Sequence, residues 1–173
     1  MSSPHGSTPA EHKATAPVSI GCFVLTISDT KTPETDTSGA VIRDLLTGAG
    51  HRVIGSAIVR DEPRDVERVV RESCAHADVQ AVITTGGTGI TSRDSTFEAI
   101  ERLLDKRLPG FGELFRMLSY GDIGPAAMLS RAQMGIHARR IVVSLPGSPN
   151  ACRLALEKLL IPELGHLVRE VSR

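Results

Sequence analysis

Two glycine-bearing runs and three acidic residues carry most of the chemistry this chain offers. In Gly86-Gly87-Thr88-Gly89, residues without side chains let consecutive backbone N–H groups face an anion, and Thr85 or Thr88 adds a hydroxyl donor. A tight turn would explain the same glycines, so the local sequence leaves both readings open. Pro146-Gly147-Ser148-Pro149-Asn150 reads as the start of a helix, with Ser148 as its cap. Its free N–H groups and positive dipole end would make a second anion site. Asp29, Asp61 and Asp94 stand beside these runs, where their charge would repel a phosphate unless a cation lay between. A hard divalent ion held by one or two carboxylates and by phosphate oxygens removes that conflict, which is how magnesium is usually bound. The plainer alternatives are a helix cap for Asp94 and a solvated loop acid for Asp61.

Ser130-Arg131 adds a hydroxyl and a guanidinium, a sensible pair for a phosphate or a pterin-like edge, while surface salt bridging is the simpler role for Arg131. Ser130 has no neighbouring His or Lys to make it a nucleophile. The spacing around the glycines satisfies neither G-x-G-x-x-G nor G-K-[ST], which excludes the common dinucleotide and Walker fingerprints. Cys22, Cys74 and Cys152 are scattered, odd in number and without zinc spacing, so they are expected as reduced core residues. The histidines are isolated or near the N-terminus, and no histidine metal centre is expected. Arg60, Arg64, Arg68 and Arg71 recur at helical spacing and are expected as a solvated or subunit-facing stripe.

The elements that must position these residues alternate. Short apolar runs at 21–27, 51–60, 79–85 and 140–145 read as strands. Helical patterns fall between them, at 38–49, after Pro63, after Asp94 as cap, at 111–119 and from Ser148-Pro149 onward, with Pro162 expected to kink or break the last. Single helices between strands imply right-handed crossovers and a mostly parallel sheet, hence a three-layer α/β/α sandwich. Ligands then bind at the carboxyl ends of the strands, where Ser28-Asp29, Asp61, the glycine run and Pro146-Asn150 all fall.

At 173 residues and 40% hydrophobic content, the chain fits one domain with a real core. Residues 1–17 lack large apolar side chains beyond Met1 and are expected as a flexible tail, leaving the domain at 18–173. Twenty basic residues cancel twenty acidic ones, so no global field favours nucleic acid or an anionic membrane. Aromatics are 3% with no Trp, too few for a stacking platform. No run approaches the ~18 apolar residues of a membrane helix and no signal peptide is visible, so a cytoplasmic protein is expected.

Taken in order, four stretches resemble the molybdenum-cofactor biosynthesis proteins of the MoaB/MogA family. They are Leu25 to Asp29; Thr84-Thr85-Gly86-Gly87-Thr88-Gly89-Ile90-Thr91 continuing to Arg93-Asp94; Pro109-Gly110-Phe111-Gly112-Glu113-Leu114-Phe115-Arg116; and Met128-Leu129-Ser130-Arg131 with Leu145 to Ala151. The run from Gly110 to Ser119 leans towards the MoaB branch. The resemblance implies a molybdopterin-binding fold and, in active members, transfer of AMP from ATP to the terminal phosphate of molybdopterin with release of pyrophosphate. It also implies magnesium, trimers or hexamers, and contact with other cofactor-assembly proteins. By motif match, Thr85, Gly86, Gly87, Thr88, Gly89, Ser130 and Arg131 would hold the pterin substrate. Asp61 and Asp94 would be the catalytic, magnesium-binding acids. Ser28, Asp29, Pro146, Gly147, Ser148 and Asn150 would form the nucleotide or shared phosphate site. The family commonly places prolines on both sides of the second acid, whereas here Ser92 and Ser95-Thr96-Phe97 flank Asp94. A member that holds molybdopterin without adenylating it is the alternative.

Overall fold

Side chains that alternate between two apolar cores define the sheet. In β1 (Gly21–Ile27) Val24 enters one core and Leu25 the other. Ile83 and Val82 divide in the same way in β3 (Ala81–Gly86), as do Val143 and Val142 in β6 (Arg140–Leu145). Strands that are apolar on both faces need helices on both faces. The computed structural model describes residues 19–92 and 94–173; the tail expected over 1–17 and Arg93 lie outside them.

The remaining strands are β2 (Arg52–Val59), β4 (Lys106–Arg107) and β5 (Gln133–His137), and the sheet order is β2-β1-β3-β6-β5-β4. The first four in that order are parallel, and β5 and β4 close one edge antiparallel. One core packs α1 (Thr37–Gly48) through Ile42 and Leu46, and α4 (Pro109–Ile123) through Phe111 and Phe115. The same core takes the C-terminal helices α5 (Pro149–Ala155) and α6 (Ile161–Ser172). The other core packs α2 (Pro63–Ala75) through Val66 and Val70, and α3 (Thr96–Leu103) through Ile100 and Leu103. The expected α/β/α sandwich with a mostly parallel sheet is therefore present. Leu25, Ile42, Leu46 and Ile83 are fully buried, and truncating any one to Ala costs about 2–5 kcal/mol.

Several expectations change in detail. Asp94 does not cap α3: Ser95 occupies the cap position, and the Asp94 carboxylate instead accepts the Thr91 N–H at 2.6 Å to close its own turn. The segment after α4 is a 3-10 helix, Gly124–Leu129, followed by β5, a strand the sequence pattern did not signal. Its hairpin turns on Ala138 and Arg139 with φ of 48° and 60°, positions that Asn and Gly usually fill. Pro162 neither breaks nor ends its helix. A π-helical turn, Leu156–Leu160, precedes it and widens the coil where the proline lacks an N–H, so the chain continues into α6. The three cysteines are buried and free, as expected. Among the described residues, no helix is long and apolar enough to cross a membrane.

Candidate functional site

The strand order reverses between β1 and β3, and their carboxyl ends form the crevice where ligands bind in such sheets. Ile27 pairs in register with Gly86 there. Gly86 has φ of 93°, and a Cβ at this position would overlap the Ile27 carbonyl oxygen, so a side chain is excluded on both counts. A Cβ on Gly147 would lie 3.5 Å from the Gly86 Cα, which places the loop after β6 against the loop after β3. The glycine run and the Pro146 loop thus meet as the sequence predicts.

Asp61, at the end of β2, joins the same rim. Its backbone N–H donates to Asp29 Oδ1 at 3.2 Å, and its Oδ1 accepts the Thr96 hydroxyl at 2.5 Å. The Thr96 methyl lies 3.1 Å from where a Gly87 Cβ would sit, so one threonine touches both the acid and the glycine loop. Asp94 packs against the same loop, where a Cβ on Gly89 would overlap its carboxylate. Asp61, through Thr96, and Asp94 thus adjoin the loop at Gly87 and at Gly89. Asp61 and Asp94 supply hard oxygen donors of the kind magnesium takes. Among the described residues no three His, Cys, Asp or Glu side chains gather as a ready metal cage.

Hydroxyls on the rim divide by direction. Thr85 is buried and donates inward to the Pro146 carbonyl at 3.0 Å, which fixes the two loops together from below and spends its one proton. Of the two threonines expected as donors, that leaves Thr88. Ser28 Oγ accepts the N–H groups of Thr30 and Lys31 at 3.3 and 3.2 Å, and its own proton remains to donate. Ser148 caps α5 as expected, taking the Ala151 N–H at 3.1 Å; Pro149 has no N–H to offer. The second anion site is correspondingly poorer in donors than a bare helix end.

Arg131 grips the glycine loop. Its Nε donates to the Thr88 carbonyl at 3.1 Å, one terminal nitrogen reaches the Gly89 carbonyl, and the other pairs with Glu98. The guanidinium also lies 4.6 Å from the Phe97 ring centroid. Three of its five N–H groups are committed, leaving two for a ligand. Burial would raise the Glu98 carboxyl, but the hydrogen bond and charge of Arg131, with Arg102 beyond, hold it below the usual range.

Two cavities flank the rim and divide the predicted residues differently from the motif grouping. One, of about 430 Å³, unites Ser130 with Pro146, Ser148 and Asn150. The other, of about 660 Å³, takes Ser28 and Asp29 with Lys31, Asp36, Arg43 and Arg60. Ser130 thus adjoins the Pro146 loop, while Ser28 and Asp29 lie apart from it. Sequence reasoning missed Thr96, Lys31, Asp36 and Arg43. Asp36, ten residues beyond its Thr26 partner, carried no local signal beyond its cap position before α1. Arg60 separates from the expected arginine stripe, because it directly follows β2 while Arg68 pairs on α2 with Asp65 and Glu72.

Burial raises the thiols of Cys22, Cys74 and Cys152 to about 12, 11 and 11. None offers a thiolate at neutral pH. What the rim offers is backbone donors, hydroxyls, a guanidinium and two carboxylates around a glycine loop.

Comparisons with known proteins show the family of the chain. Residues 23–166 match the model of a family described as a probable molybdopterin binding domain. The chain is 52% identical over 164 residues to molybdenum cofactor biosynthesis protein B of Bacillus cereus, covering 94% of this chain and 97% of that one. A crystal structure of a molybdenum cofactor biosynthesis protein B superposes with a TM-score of 0.89 at 51% identity, covering 92% of this chain and 99% of that one. The tungsten cofactor synthesizing protein MoaB of Pyrococcus furiosus superposes with a TM-score of 0.80 at 38% identity, covering 91% and 100%. With its glycine loop and strand-end acids held in that fold, the chain belongs to the MoaB/MogA family of molybdopterin-binding domains.

Proposed function

We propose that this protein acts in molybdenum cofactor biosynthesis by binding molybdopterin and transferring AMP from ATP to its terminal phosphate, with release of pyrophosphate. The observation that carries the reading is that both acids adjoin the Gly86–Gly89 loop, Asp94 packing on Gly89 and Thr96 linking Asp61 to Gly87. A phosphate seated on the loop would meet backbone N–H groups, the Thr88 hydroxyl and the free donors of Arg131. An oxygen of that phosphate attacks the α-phosphorus, and the bond from this phosphorus to the bridging oxygen of the leaving pyrophosphate breaks. The chain needs no nucleophile for this; its residues orient two anions and offset their charge. Asp61 and Asp94 would hold magnesium, which when bound neutralises phosphate charge, its other ligands being phosphate oxygens and water. Ser28, Asp29, Pro146, Gly147, Ser148 and Asn150 would serve the nucleotide.

The reading is tested by incubating the protein with molybdopterin, ATP and magnesium and following adenylylated pterin and pyrophosphate together. Appearance of both in equal amounts supports it. Pterin binding with no product overturns the transfer and leaves a holding module. That alternative draws on the flank of Asp94, where Ser92 and Phe97 stand at the family's two proline positions and the Asp94 carboxylate closes a turn with the Thr91 N–H.

The same reading includes threefold assembly. Leu114, Met117, Tyr120, Ile123, Met128 and Leu129 are each at least 48% exposed along α4 and the 3-10 helix, while Phe111 and Phe115 of α4 enter the core. A contiguous strip of this kind is usually covered by a partner. Light scattering at micromolar concentration should return a trimer or hexamer; a monomer would remove this part.

A further inference from the structure

The larger cavity beside the rim has a charge pattern that the pterin site does not use. Its inner wall is Asp36, buried at 3% exposure, whose carboxylate accepts the Thr26 hydroxyl at 2.7 Å and the Gly39 N–H at 3.0 Å. Lys31 and Arg43 both approach this one carboxylate, each at 3.7 Å, so two cations share one countercharge. Arg60 enters the cavity from the end of β2 with no carboxylate pairing it among the described residues. Asp29, the other acid of the wall, has one oxygen turned to the Asp61 N–H. Three cations against two acids leave the cavity net positive in a protein whose formal charge is zero. Its volume of about 660 Å³ and its Ser28 and Ser56 hydroxyls suit a compact, multiply charged anion. It is continuous with the site, since Asp61 follows Arg60 and Asp29 bridges to it.

We propose that the cleft formed by Lys31, Arg43, Arg60 and Ser28 is a polyphosphate subsite, which takes the β- and γ-phosphates of a nucleoside triphosphate and then the pyrophosphate it releases. The identification as nucleotide tail rests on the adenylyl-transfer reading, whereas affinity for polyphosphate does not. The cations would draw the leaving group away from the α-phosphorus, into a cavity separate from the 430 Å³ one that holds Ser130. Lys31 also donates to Ser38 at 2.5 Å, which holds its ammonium at the cavity wall.

The test is calorimetric titration of the full chain with inorganic pyrophosphate, ATP and AMP, in the wild type, Arg60→Gln and Arg43→Gln. Expected is binding of pyrophosphate and ATP, weakened roughly tenfold by each variant and by added salt, with AMP unaffected. Arg43→Gln also releases a countercharge of buried Asp36, so Arg60→Gln at a strand end is the variant that leaves the fold untouched. Pyrophosphate that does not bind the wild type, or binds both variants as tightly, overturns the subsite. Parallel assays of AMP transfer separate the two readings. Polyphosphate binding lost in the variants without any AMP transfer by the wild type supports the cleft and ends the transferase reading. Transfer with an unchanged KM for ATP in both variants does the reverse.

Discussion

The Thr96 hydroxyl donates to Asp61 Oδ1 at 2.5 Å across 35 residues of sequence, joining the first turn of α3 to the loop after β2. Thr96 is fully buried, and its methyl lies against Gly87. The bond therefore fixes one acid relative to the loop proposed to seat the phosphate. Thr96→Val keeps the shape and the methyl contact but removes the proton. AMP transfer should fall about tenfold in kcat, the scale of one hydrogen bond to a charged group, with molybdopterin affinity nearly unchanged. Thr96→Ser should restore most of the loss. A kcat equal to wild type in Thr96→Val would remove Thr96 as a positioning residue.

Asp94 and Gly89 form a second coupled pair, because a side chain on Gly89 would occupy the space of the Asp94 carboxylate. Asp94→Asn should reduce AMP transfer by roughly a hundredfold or more while leaving pterin binding mostly intact, since the lost charge serves the metal. Gly89→Ala should show the same split by displacing the acid without altering its charge. Normal transfer in Gly89→Ala beside an inactive Asp94→Asn would show that the contact with Gly89 is not needed.

How far the sequence revealed this site follows the range of its interactions. The four parallel strands, the glycine loop and the Ser148 cap rest on local pattern and propensity, and all are present. Thr96 was invisible because its partner lies 35 residues away in the loop after β2, and the grip of Arg131 on the loop was hidden because its carbonyl partners are backbone atoms 42 and 43 residues away. Gly87 read from the sequence only as part of a glycine run able to face an anion. Its φ of 64° and its contacts with Ile27 and Thr96 mean that valine would strain the fold as well as block phosphate. The hairpin at Ala138-Arg139 lacked turn residues altogether, which hid β5.

Arg131 supplies a third test, because its planar fork spans two carbonyls and a carboxylate at once. Arg131→Lys keeps the charge near Glu98 but cannot hold both carbonyls. Pterin affinity should weaken about tenfold, while the melting temperature changes little because the loop lies on the rim. The pair should also loosen in acid. The folded Glu98 carboxyl lies below its ordinary value of 4.5, so its contribution is complete above that pH and is lost as pH falls through the folded value. Wild-type pterin affinity retained in Arg131→Lys would exclude the grip on the loop as a determinant of binding.

His51 predicts a pH dependence of opposite chemical origin, in the fold and away from the site. It is buried where the chain enters β2, and its Nδ1 accepts the Ile20 N–H at 3.3 Å, which requires the neutral ring. Burial lowers its pKa from the ordinary 6.5. The unfolded chain therefore takes up a proton near pH 6.5 while the folded chain does not, and stability falls as pH drops through that window. Urea midpoints measured at pH 7.5 and 5.5 should decrease for the wild type. His51→Gln, whose amide oxygen can still accept the Ile20 N–H but does not titrate, should show a smaller decrease even if its midpoint at pH 7.5 is lower. Equal decreases in the two proteins would assign the acid sensitivity to other groups.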